Sequence, residues 1–393
     1  MKILQVIPVF SPPFGGPVTF VRSLSKALAK KHEVVVYTTT ALDLRHDFEP
    51  KEEETNGYKI HYFPRALKPL CYSYLFGQLN ISWDMVEAVK HNIRKFDVVH
   101  VHSWQQFTDV IVHHYASRYS VPYFMQVHGS LSRVGRKFRK LLYDSTLGYR
   151  VLNKASKVIA LNKVEAEQYR SMGVPAEKIA IIPNGIDLSE YAELPPKGSF
   201  KKKFNISEDK KIILYLGRIH KTKGIDLLIK AYAYLKNEMK YSDAVLVIVG
   251  PDDGYLSDAK VLANSLGLYG SVMFTGFISS EDKLMALVDA EVFVTPLFYG
   301  FPMTFIEACV AGTPIVTTCL GDTLEWIDGN VGYVVQPTFR DLAEAIYRIV
   351  SDDELRRRFS KNCIEIVKSE FSIERVVKKL MKFYEEVVER KII

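Results

Sequence analysis

A loop in the second half of the 393-residue chain places two basic side chains between glycines at the end of an apolar run. It reads Gly217-Arg218-Ile219-His220-Lys221-Thr222-Lys223-Gly224 and leads into a helical pattern. Gly217 allows another group to approach the backbone closely, and Arg218 and Lys223 can bring two positive charges to one point. Because cations at the start of a helix oppose its dipole, an anion between them is a better interpretation than a solvated basic loop. The spacing predicts a site for a departing diphosphate.

A second loop, residues 295–308, also joins an apolar run to a helical pattern. Gly300 allows a tight turn, and Pro302 suits the first turn of a helix because it has no N–H to leave unpaired. The backbone amides of Met303 and Thr304 can then bind an anion. Glu307 would either interact with the helix dipole or accept hydrogen bonds from hydroxyls such as those of a ribose. Beside the basic loop, the second interpretation is favoured.

Candidate residues in the first half of the chain also follow strand-like runs. Gly15 and Gly16 close the first run, where they form either a plain tight turn or a loop that leaves space for substrates; their position favours the loop. His128 ends another run, and His100 and His102 share one face of a strand end. We expect His100 to be buried and His102 to line an acceptor pocket. A metal site made of these three histidines is the alternative.

Strand-like runs alternate with amphipathic helical patterns along the chain, which predicts parallel α/β sheets. The break in this rhythm at residues 184–211, with its Pro-Asn-Gly segment and lysine run, indicates a linker. We therefore predict two doubly wound, Rossmann-like sheets whose ligands bind at the carboxyl ends of the strands. The predicted domains are residues 1–190 and 191–371, followed by a helix at 372–393 that can cross back to the first domain. The predicted strands are 3–10, 33–38, 59–63, 97–101, 122–127, 157–161, 178–182, 212–217, 244–249, 271–275, 291–295, 314–317 and 332–335.

Composition excludes several classes of protein. No uninterrupted run of about 18 apolar residues exists, and the first strand lacks a basic leader and a cleavage site, so we expect neither a membrane span nor a signal peptide. The four cysteines form no Cys-x-x-Cys pair, which fits a reducing cytoplasm better than a zinc ribbon or a disulfide framework. The formal charge of +7 indicates a phosphate-bearing or membrane-surface partner rather than nucleic acid.

Taken together, these motifs resemble those of GT-B-fold retaining glycosyltransferases of the large GT4 type (glycosyltransferase family 4). The resemblance spans nearly the whole chain in the expected order. It implies that Arg218 and Lys223 bind the donor pyrophosphate, that Glu307 binds the ribose and that Ile278 lies against the base. The matching motifs are Gly15-Gly16, Val127-His128-Gly129, Ile182-Pro183-Asn184-Gly185-Ile186-Asp187, Gly217-Arg218 with Lys223-Gly224, and residues 307–314.

The resemblance also assigns roles to the first half of the chain. The loop at Gly15 and Gly16 would lie beneath the reacting centre, and His128 would contact the sugar or the leaving phosphate. We do not expect His128 to act as a general base, because a retaining transfer of this type is thought to use the donor phosphate to take the acceptor proton. The protein then mainly orients substrates and stabilises charge.

One position departs from the family pattern. The family usually has a glutamate eight residues before Glu307 that contacts the transferred sugar, and this chain has Tyr299 there. A tyrosine offers a hydroxyl and a stacking face but no negative charge. The substitution bears on the identity of the donor sugar more than on nucleotide binding.

Two segments indicate what the acceptor half meets. Residues 67–79 are rich in aromatic and aliphatic side chains, and a basic run precedes a predicted helix, 134–153, with an apolar stripe. This pattern is typical of a peripheral membrane contact or a lipid-phosphate acceptor. A buried helix with a solvated basic face is the commoner alternative. The basic residues are Arg133, Arg136, Lys137, Arg139 and Lys140, and the stripe is Phe138, Leu141, Leu142, Tyr149 and Leu152.

The predicted function is transfer of a hexose from a UDP- or GDP-linked donor to a sugar, glycolipid or polysaccharide acceptor. The predicted enzyme uses no metal or other cofactor and binds no nucleic acid. Its predicted location is the cytoplasm, either free or in peripheral contact with the inner face of the membrane. A non-catalytic nucleotide-sugar-binding protein is one alternative, and a metallohydrolase that uses His100, His102 and His128 is another. A transferase of the other major fold would need an Asp-x-Asp motif, which Asp252 and Asp253 do not form.

Overall fold

A computed structural model of the chain describes residues 1–11, 15–42, 46–49, 51–66, 80–131, 141–298, 301–318 and 324–392. The chain forms two compact units. Unit 1 comprises Met1–Asp187 together with Ser372–Ile393, and unit 2 comprises Leu188–Phe371. Each unit is built around its own twisted sheet.

Unit 1 contains an eight-stranded sheet in the order β3-β4-β2-β1-β5-β6-β7-β8. The pairs are parallel except for β3 and β4. The order reverses between β1 and β5, which is the point where doubly wound sheets open a crevice for ligands. The strands are β1 Lys2–Val6, β2 Glu33–Thr39, β3 Glu52–Thr55, β4 Tyr58–Phe63, β5 Val98–Val101, β6 Tyr123–Gln126, β7 Lys157–Ala160 and β8 Ile179–Ile181. The helices before residue 188 are α1 Gly16–Ala29, α2 Trp83–Asn92, α3 Phe107–Arg118, α4 Tyr149–Lys154 and α5 Lys163–Ser171, with short helical turns at Ile93–Lys95, Asp144–Gly148 and Ala176–Lys178.

Unit 2 contains a six-stranded parallel sheet in the order β11-β10-β9-β12-β13-β14. Here the order reverses between β9 and β12, so the loops after these two strands meet at one edge. The strands are β9 Lys211–Leu216, β10 Ala244–Val249, β11 Val272–Gly276, β12 Ala290–Thr295, β13 Ile315–Thr318 and β14 Gly332–Val335. The helices are α6 Ser199–Lys203, α7 Ile225–Asn237, α8 Leu256–Ser265, α9 Ser280–Asp289, α10 Met303–Val310, α11 Phe339–Ser351 and α12 Asp353–Ile366, with short turns at Leu188–Tyr191, Lys221–Lys223 and Val367–Phe371.

The last helix, α13 (Ile373–Ile392), belongs to unit 1. Its buried residues Val376, Leu380 and Tyr384 pack in one cluster with Phe20 and Leu24 of α1. This burial follows from the apolar stripe on a helix that is otherwise charged. Within the described residues, no helix is long and apolar enough to cross a bilayer.

The predicted fold class is confirmed: both units are α/β with essentially parallel sheets. Several strand bounds in unit 1 differ from the prediction. The first strand ends at Val6 instead of residue 10, because Pro8 has no N–H to donate to a strand ladder. The antiparallel edge strand β3 was missed, since its sequence Glu-Glu-Glu-Thr has no apolar alternation.

The predicted linker is wrong in part. Residues 188–211 form a turn and helix α6, which is fixed to unit 2 by hydrogen bonds. The carboxylate of Asp289 accepts hydrogen bonds from the backbone amides of Gly198 and Lys201, and Lys203 pairs with Asp282 at 2.5 Å. The lysines that indicated a linker instead belong to a short packed helix, which begins after Gly198.

Candidate functional site

The turn after β9 in unit 2 is built around a very close approach of two glycines. A Cβ atom on Gly250 would lie 1.9 Å from the carbonyl oxygen of Gly217, and Gly250 has a φ of 144°. A Cβ on Gly217 would lie 2.8 Å from the hydroxyl of Tyr215, which donates a hydrogen bond to the carbonyl of Arg218. The close approach predicted for Gly217 therefore involves neighbouring protein groups.

Arg218 and Lys223 both lie in the loop between β9 and α7. The pKa of the Lys223 ammonium is lowered by burial and, secondly, by the positive charge of Arg218. Lys223 lies at the end of the turn Lys221–Lys223, directly before Gly224, whose φ of 70° places it in the left-handed region. An anion between the two cations would relieve this repulsion, as the sequence pattern predicts.

An acidic partner that the sequence pattern did not indicate is present at this loop. The guanidinium of Arg218 pairs with the carboxylate of Asp253, with Nη1 and Oδ2 2.5 Å apart. Both side chains are exposed, so the pair contributes little to stability and can exchange with another anion. The neighbouring Asp252 holds the turn that leads into α8, since its Oδ1 accepts hydrogen bonds from the amides of Gly254, Tyr255 and Leu256.

Helix α10 begins at Met303, one residue later than predicted, and Pro302 precedes it as the cap residue. The amides of Met303 and Thr304 belong to the first helical turn, which has no carbonyl acceptors within the helix. This geometry agrees with the predicted anion site, whose ligand stays a prediction. The predicted donor residues Tyr299 and Gly300 lie outside the described residues.

Glu307 is 4% exposed and forms an ion pair with Lys283 of α9, with Oε1 and Nζ 2.7 Å apart. Helix α9 follows the loop that contains Gly276, Phe277 and Ile278, of which Phe277 is 78% exposed. Lys283 thus connects the loop predicted to contact the base with the carboxylate predicted to bind the ribose. Nothing in the sequence marked Lys283, because it lies on a helix among other charged residues.

A small cavity in unit 1, of about 180 Å³, brings together the ends of three strands and the start of α1. Both His102, which follows β5, and His128, which follows β6, line it. Gly15 has a φ of 80° and caps α1, which begins at Gly16. The other lining residues are Ile7, Pro8, Val9, Pro17, Val18, Asn80, Ser103, Trp104, Gln106, Val127 and Ser130.

The histidines form hydrogen bonds with one another and with two buried residues. His128 Nε2 lies 3.1 Å from His102 Nδ1, and His102 Nε2 lies 2.6 Å from Gln5 Oε1. His100 is fully buried, as predicted, and its Nδ1 lies 2.6 Å from the hydroxyl of Tyr384. Burial lowers the pKa of His100 and of His128 to about 3 and that of His102 well below its usual value. All three imidazoles are neutral near pH 7.

This arrangement does not match the alternative three-histidine metal site, because both ring nitrogens of His102 are hydrogen-bonded, one to His128 and one to Gln5. Across the described part of the chain, no group of three or more His, Cys, Asp or Glu side chains is placed to hold a metal ion. Cys309 and Cys363 are free and buried, and Cys71 and Cys319 lie outside the described residues.

His128 sits in a strained turn that is held by a carboxylate. Its φ is 51°, and Gly129 follows with a φ of 80°. The carboxylate of Glu165 accepts hydrogen bonds from the amides of Gly129, at 2.6 Å, and Leu161, at 2.7 Å. A non-glycine residue in the left-handed region costs free energy, so the surrounding contacts must maintain this backbone. Nothing in the sequence pattern marked Glu165.

The motif at residues 182–187 has a structural role within unit 1. Asn184 is buried and accepts a hydrogen bond from the side chain of Gln126. A Cβ on Gly185 would lie 2.8 Å from a methyl group of Val376 on α13. Asp187 pairs with Lys26 of α1 at 2.6 Å. This segment therefore packs against α1 and α13 within unit 1.

The comparisons with known proteins agree with this architecture. Residues 14–190 match the family model described as Glycosyltransferase Family 4, and residues 196–365 match the model described as Glycosyl transferases group 1. The sequence is similar to an uncharacterized glycosyltransferase of Methanocaldococcus jannaschii, with 27% identity over 411 residues and 99% of both chains covered. It is also similar to the candidate glycosyltransferase YtcC of Bacillus subtilis, with 30% identity over 326 residues, 77% of this chain and 76% of the relative.

A more specifically named relative is the Escherichia coli UDP-Gal:alpha-D-GlcNAc-diphosphoundecaprenol alpha-1,3-galactosyltransferase. It is 28% identical over 305 residues, which cover 76% of this chain and 77% of that protein. Among solved structures, the chain is similar to sucrose-phosphate synthase from Thermosynechococcus elongatus, with a TM-score of 0.80 and 22% identity. The match covers 99% of this chain and 100% of that structure. It is also similar to Anabaena HepE in complex with UDP and glucose, with a TM-score of 0.78 and 18% identity. This match covers 98% of this chain and 100% of that structure. The chain belongs to the GT-B-fold glycosyltransferases of group 1, or family 4, and is a glycosyltransferase.

Proposed function

We propose that the enzyme transfers a hexose from a UDP- or GDP-linked donor to a sugar or a lipid-linked acceptor with retention of anomeric configuration. The observation that carries this proposal is the loop after β9 in unit 2, which holds Arg218 at the strand end and Lys223 in the turn before α7. Bond cleavage at the sugar leaves negative charge on the diphosphate, and fixed cations stabilise that charge as it develops.

The surroundings of Arg218 support a site that accepts an anion. Asp253 neutralises part of the charge of Arg218, but the pair is exposed and held by one short contact. A diphosphate carries more negative charge than one carboxylate and could interact with Lys223 as well. We therefore propose that the donor replaces Asp253 at Arg218.

The acceptor would bind at the cavity of unit 1, where His102 and His128 lie. With its pKa near 3, His128 is a weak base at neutral pH and is poorly suited to remove the acceptor proton. A hydrogen-bonding role is better suited to it. The donor phosphate would then take the proton, as the family resemblance implies.

The names of two similar proteins support the proposed substrates. The Escherichia coli relative is named for a UDP-linked galactose donor and a diphosphoundecaprenol acceptor. The structure of Anabaena HepE contains UDP and glucose. These names favour a UDP-hexose and a lipid-linked sugar as the first substrates to test.

A contact with a membrane surface is the second part of the proposal. The described residues Leu141, Leu142 and Tyr149 are each about half exposed, whereas Leu152 is buried. The basic residues that precede them, and the aromatic-rich segment at residues 67–79, lie outside the described residues. Exposed leucines and a tyrosine beside a basic run could contact the headgroup region of a bilayer.

The test is donor turnover by the wild-type protein and two variants. We expect release of UDP or GDP from at least one nucleotide hexose, and Arg218→Ala should lower kcat about 100-fold or more. Lys221→Ala is the matched control, since Lys221 is an exposed lysine of the same turn, and it should keep nearly full activity. Full activity of Arg218→Ala would contradict the donor site, and a product of inverted anomeric configuration would contradict retention.

A further inference from the structure

Gln5, His102 and His128 form a chain of hydrogen bonds. In such a chain, the position of one proton determines the position of the next. A neutral imidazole carries one proton, so one ring nitrogen donates and the other accepts. Gln5 is fully buried on β1, and its Oε1 lies 2.6 Å from His102 Nε2. Because a carbonyl oxygen only accepts, His102 Nε2 carries the proton and its Nδ1 is an acceptor.

The next bond then fixes the proton of His128. His128 Nε2 lies 3.1 Å from the acceptor Nδ1 of His102, so Nε2 must donate. The Nδ1 atom of His128 is left with a lone pair, and among the described residues it makes no hydrogen bond. The orientation of the Gln5 amide therefore decides which nitrogen of His128 is protonated. Rotation of that amide by 180° would reverse every bond in the chain.

Gln5 and Asn184 influence the tautomer of His128 from opposite ends of the hydrogen-bond chain. Burial raises the pKa of the Tyr384 phenol, and the nearby Gln5 amide opposes this rise. Gln5 Nε2 makes no hydrogen bond of standard geometry. Asn184 lies near His128 and favours its protonated form, also without a hydrogen bond of standard geometry. The bond of 2.6 Å at Gln5 is the stronger of the two influences.

We infer that Gln5 is a positioning residue for the transfer reaction: through His102 it keeps His128 in the tautomer whose Nδ1 accepts a hydrogen bond from a substrate hydroxyl. This inference rests on the proposed function. Three observations support it: both histidines line the cavity, the buried Nδ1 of His128 makes no hydrogen bond of standard geometry within the described residues, and the strained backbone of His128 is held by Glu165. Strain of this kind is found where the position of a side chain matters.

The first experiment reads the tautomer directly in the unliganded protein. Long-range ¹H–¹⁵N correlation spectra of histidine-labelled protein distinguish a protonated ring nitrogen from one with a lone pair, and His128→Asn assigns the signals. We expect His128 to be protonated on Nε2 in the wild type and in Gln5→Glu, whose carboxylate also accepts. Gln5→Met, of similar volume without an acceptor, should shift His128 to a mixture of tautomers. Protonation of Nδ1 in the wild type, or an unchanged tautomer in Gln5→Met, would overturn the inference.

The second experiment connects the tautomer to transfer. Gln5→Met should lower kcat about tenfold, as expected for loss of one hydrogen bond in the transition state, with the KM for the donor unchanged. Gln5→Glu should restore most of the rate. Thr38→Val is the matched control, because Thr38 is a fully buried polar residue of β2 whose hydroxyl has no partner in the described structure.

The two experiments separate the failure of this inference from that of the proposed function. A changed tautomer with unchanged kcat would remove the role of Gln5 while transfer stands. A wild-type protein that turns over no nucleotide hexose would remove the proposed function, and the spectra would still decide whether Gln5 controls the tautomer of His128.

Discussion

At the scale of single residues, the proposed donor site contains charges that weaken the fold. Lys223 is partly buried beside Arg218, and both effects lower its pKa. A lysine whose folded pKa is below its unfolded value resists protonation in the folded state, so its charge destabilises the fold at neutral pH. Retaining such a group is consistent with a functional demand for its charge.

The first prediction is that Lys223→Met loses activity without loss of stability. We expect kcat to fall about 100-fold or more, while the unfolding temperature stays the same or rises because the buried charge is gone. Thermal unfolding and donor turnover of the same preparation provide the two measurements. Lys221→Met, at an exposed position of the same turn, should change neither. A clear decrease in the unfolding temperature of Lys223→Met would show that the lysine is structural.

The second prediction concerns the buried carboxylate of Glu307. Glu307→Gln should weaken binding of UDP or GDP about tenfold, because a neutral amide is a poorer acceptor for ribose hydroxyls than a carboxylate. Lys283, its ion-pair partner, is about one-third exposed and can be solvated when the charge of Glu307 is removed. Calorimetry measures the affinity, and Glu281→Gln on the exposed first turn of α9 is the control. Equal affinity in wild type and Glu307→Gln would exclude the proposed ribose contact.

At the scale of secondary-structure elements, the histidines of unit 1 depend on several strands and helices at once. Gln5 on β1, the residues after β5 and β6, and Tyr384 on α13 supply the buried partners. Glu165, at the start of α5, holds the turn at Gly129. No single element would position these side chains.

The third prediction is a loss of stability in acid. An unfolded histidine takes up a proton near pH 6.5, whereas folded His100 and His128 stay neutral down to about pH 3. Stability is therefore complete above pH 6.5 and is lost as the pH falls, by up to about 1.4 kcal/mol per pH unit for each such histidine. Buried Asp109, whose pKa is raised to about 6, acts in the opposite direction between pH 6 and 4.

Thermal unfolding between pH 7.5 and 4.5 checks this prediction. His100→Gln removes one titrating group and leaves a side chain that can bond to the Tyr384 hydroxyl, so its unfolding temperature should depend less steeply on pH than that of the wild type. Identical pH dependence in the two proteins would show that His100 does not resist protonation in the folded state.

At the scale of the whole molecule, each unit has its own parallel sheet and core, and α13 returns the end of the chain to unit 1. The exposed apolar residues Leu141, Leu142 and Tyr149 belong to unit 1, in which we place the acceptor cavity. A lipid-linked acceptor would be presented at a membrane surface, so a surface contact by this unit would be useful.

The fourth prediction tests that contact. The double variant Leu141→Asp, Leu142→Asp should bind vesicles containing anionic lipid several-fold more weakly than the wild type, because it loses apolar area and gains negative charge. Vesicle sedimentation measures binding. Val261→Asp, at an exposed apolar position of unit 2, is the control and should bind like the wild type. Equal binding by all three proteins would argue against a membrane contact through this segment.

The sequence by itself determined the fold class, most of the strands and the motifs of the family. Parallel strands buried on both faces appear as short apolar runs, and glycines after them mark positions where a side chain would not fit, as at Gly217 and Gly250. These signals are local, so they are visible without the structure.

Only the tertiary structure decided which side chains meet. Asp253 pairs with Arg218, Lys283 with Glu307, and Gln5 with His102 across separations of 35, 24 and 97 residues. Each partner lies on an ordinary helix, loop or strand, and nothing in its own segment marks it. Pairings of this kind depend on the order of strands in the sheet and the packing of helices on it, which a linear pattern does not contain.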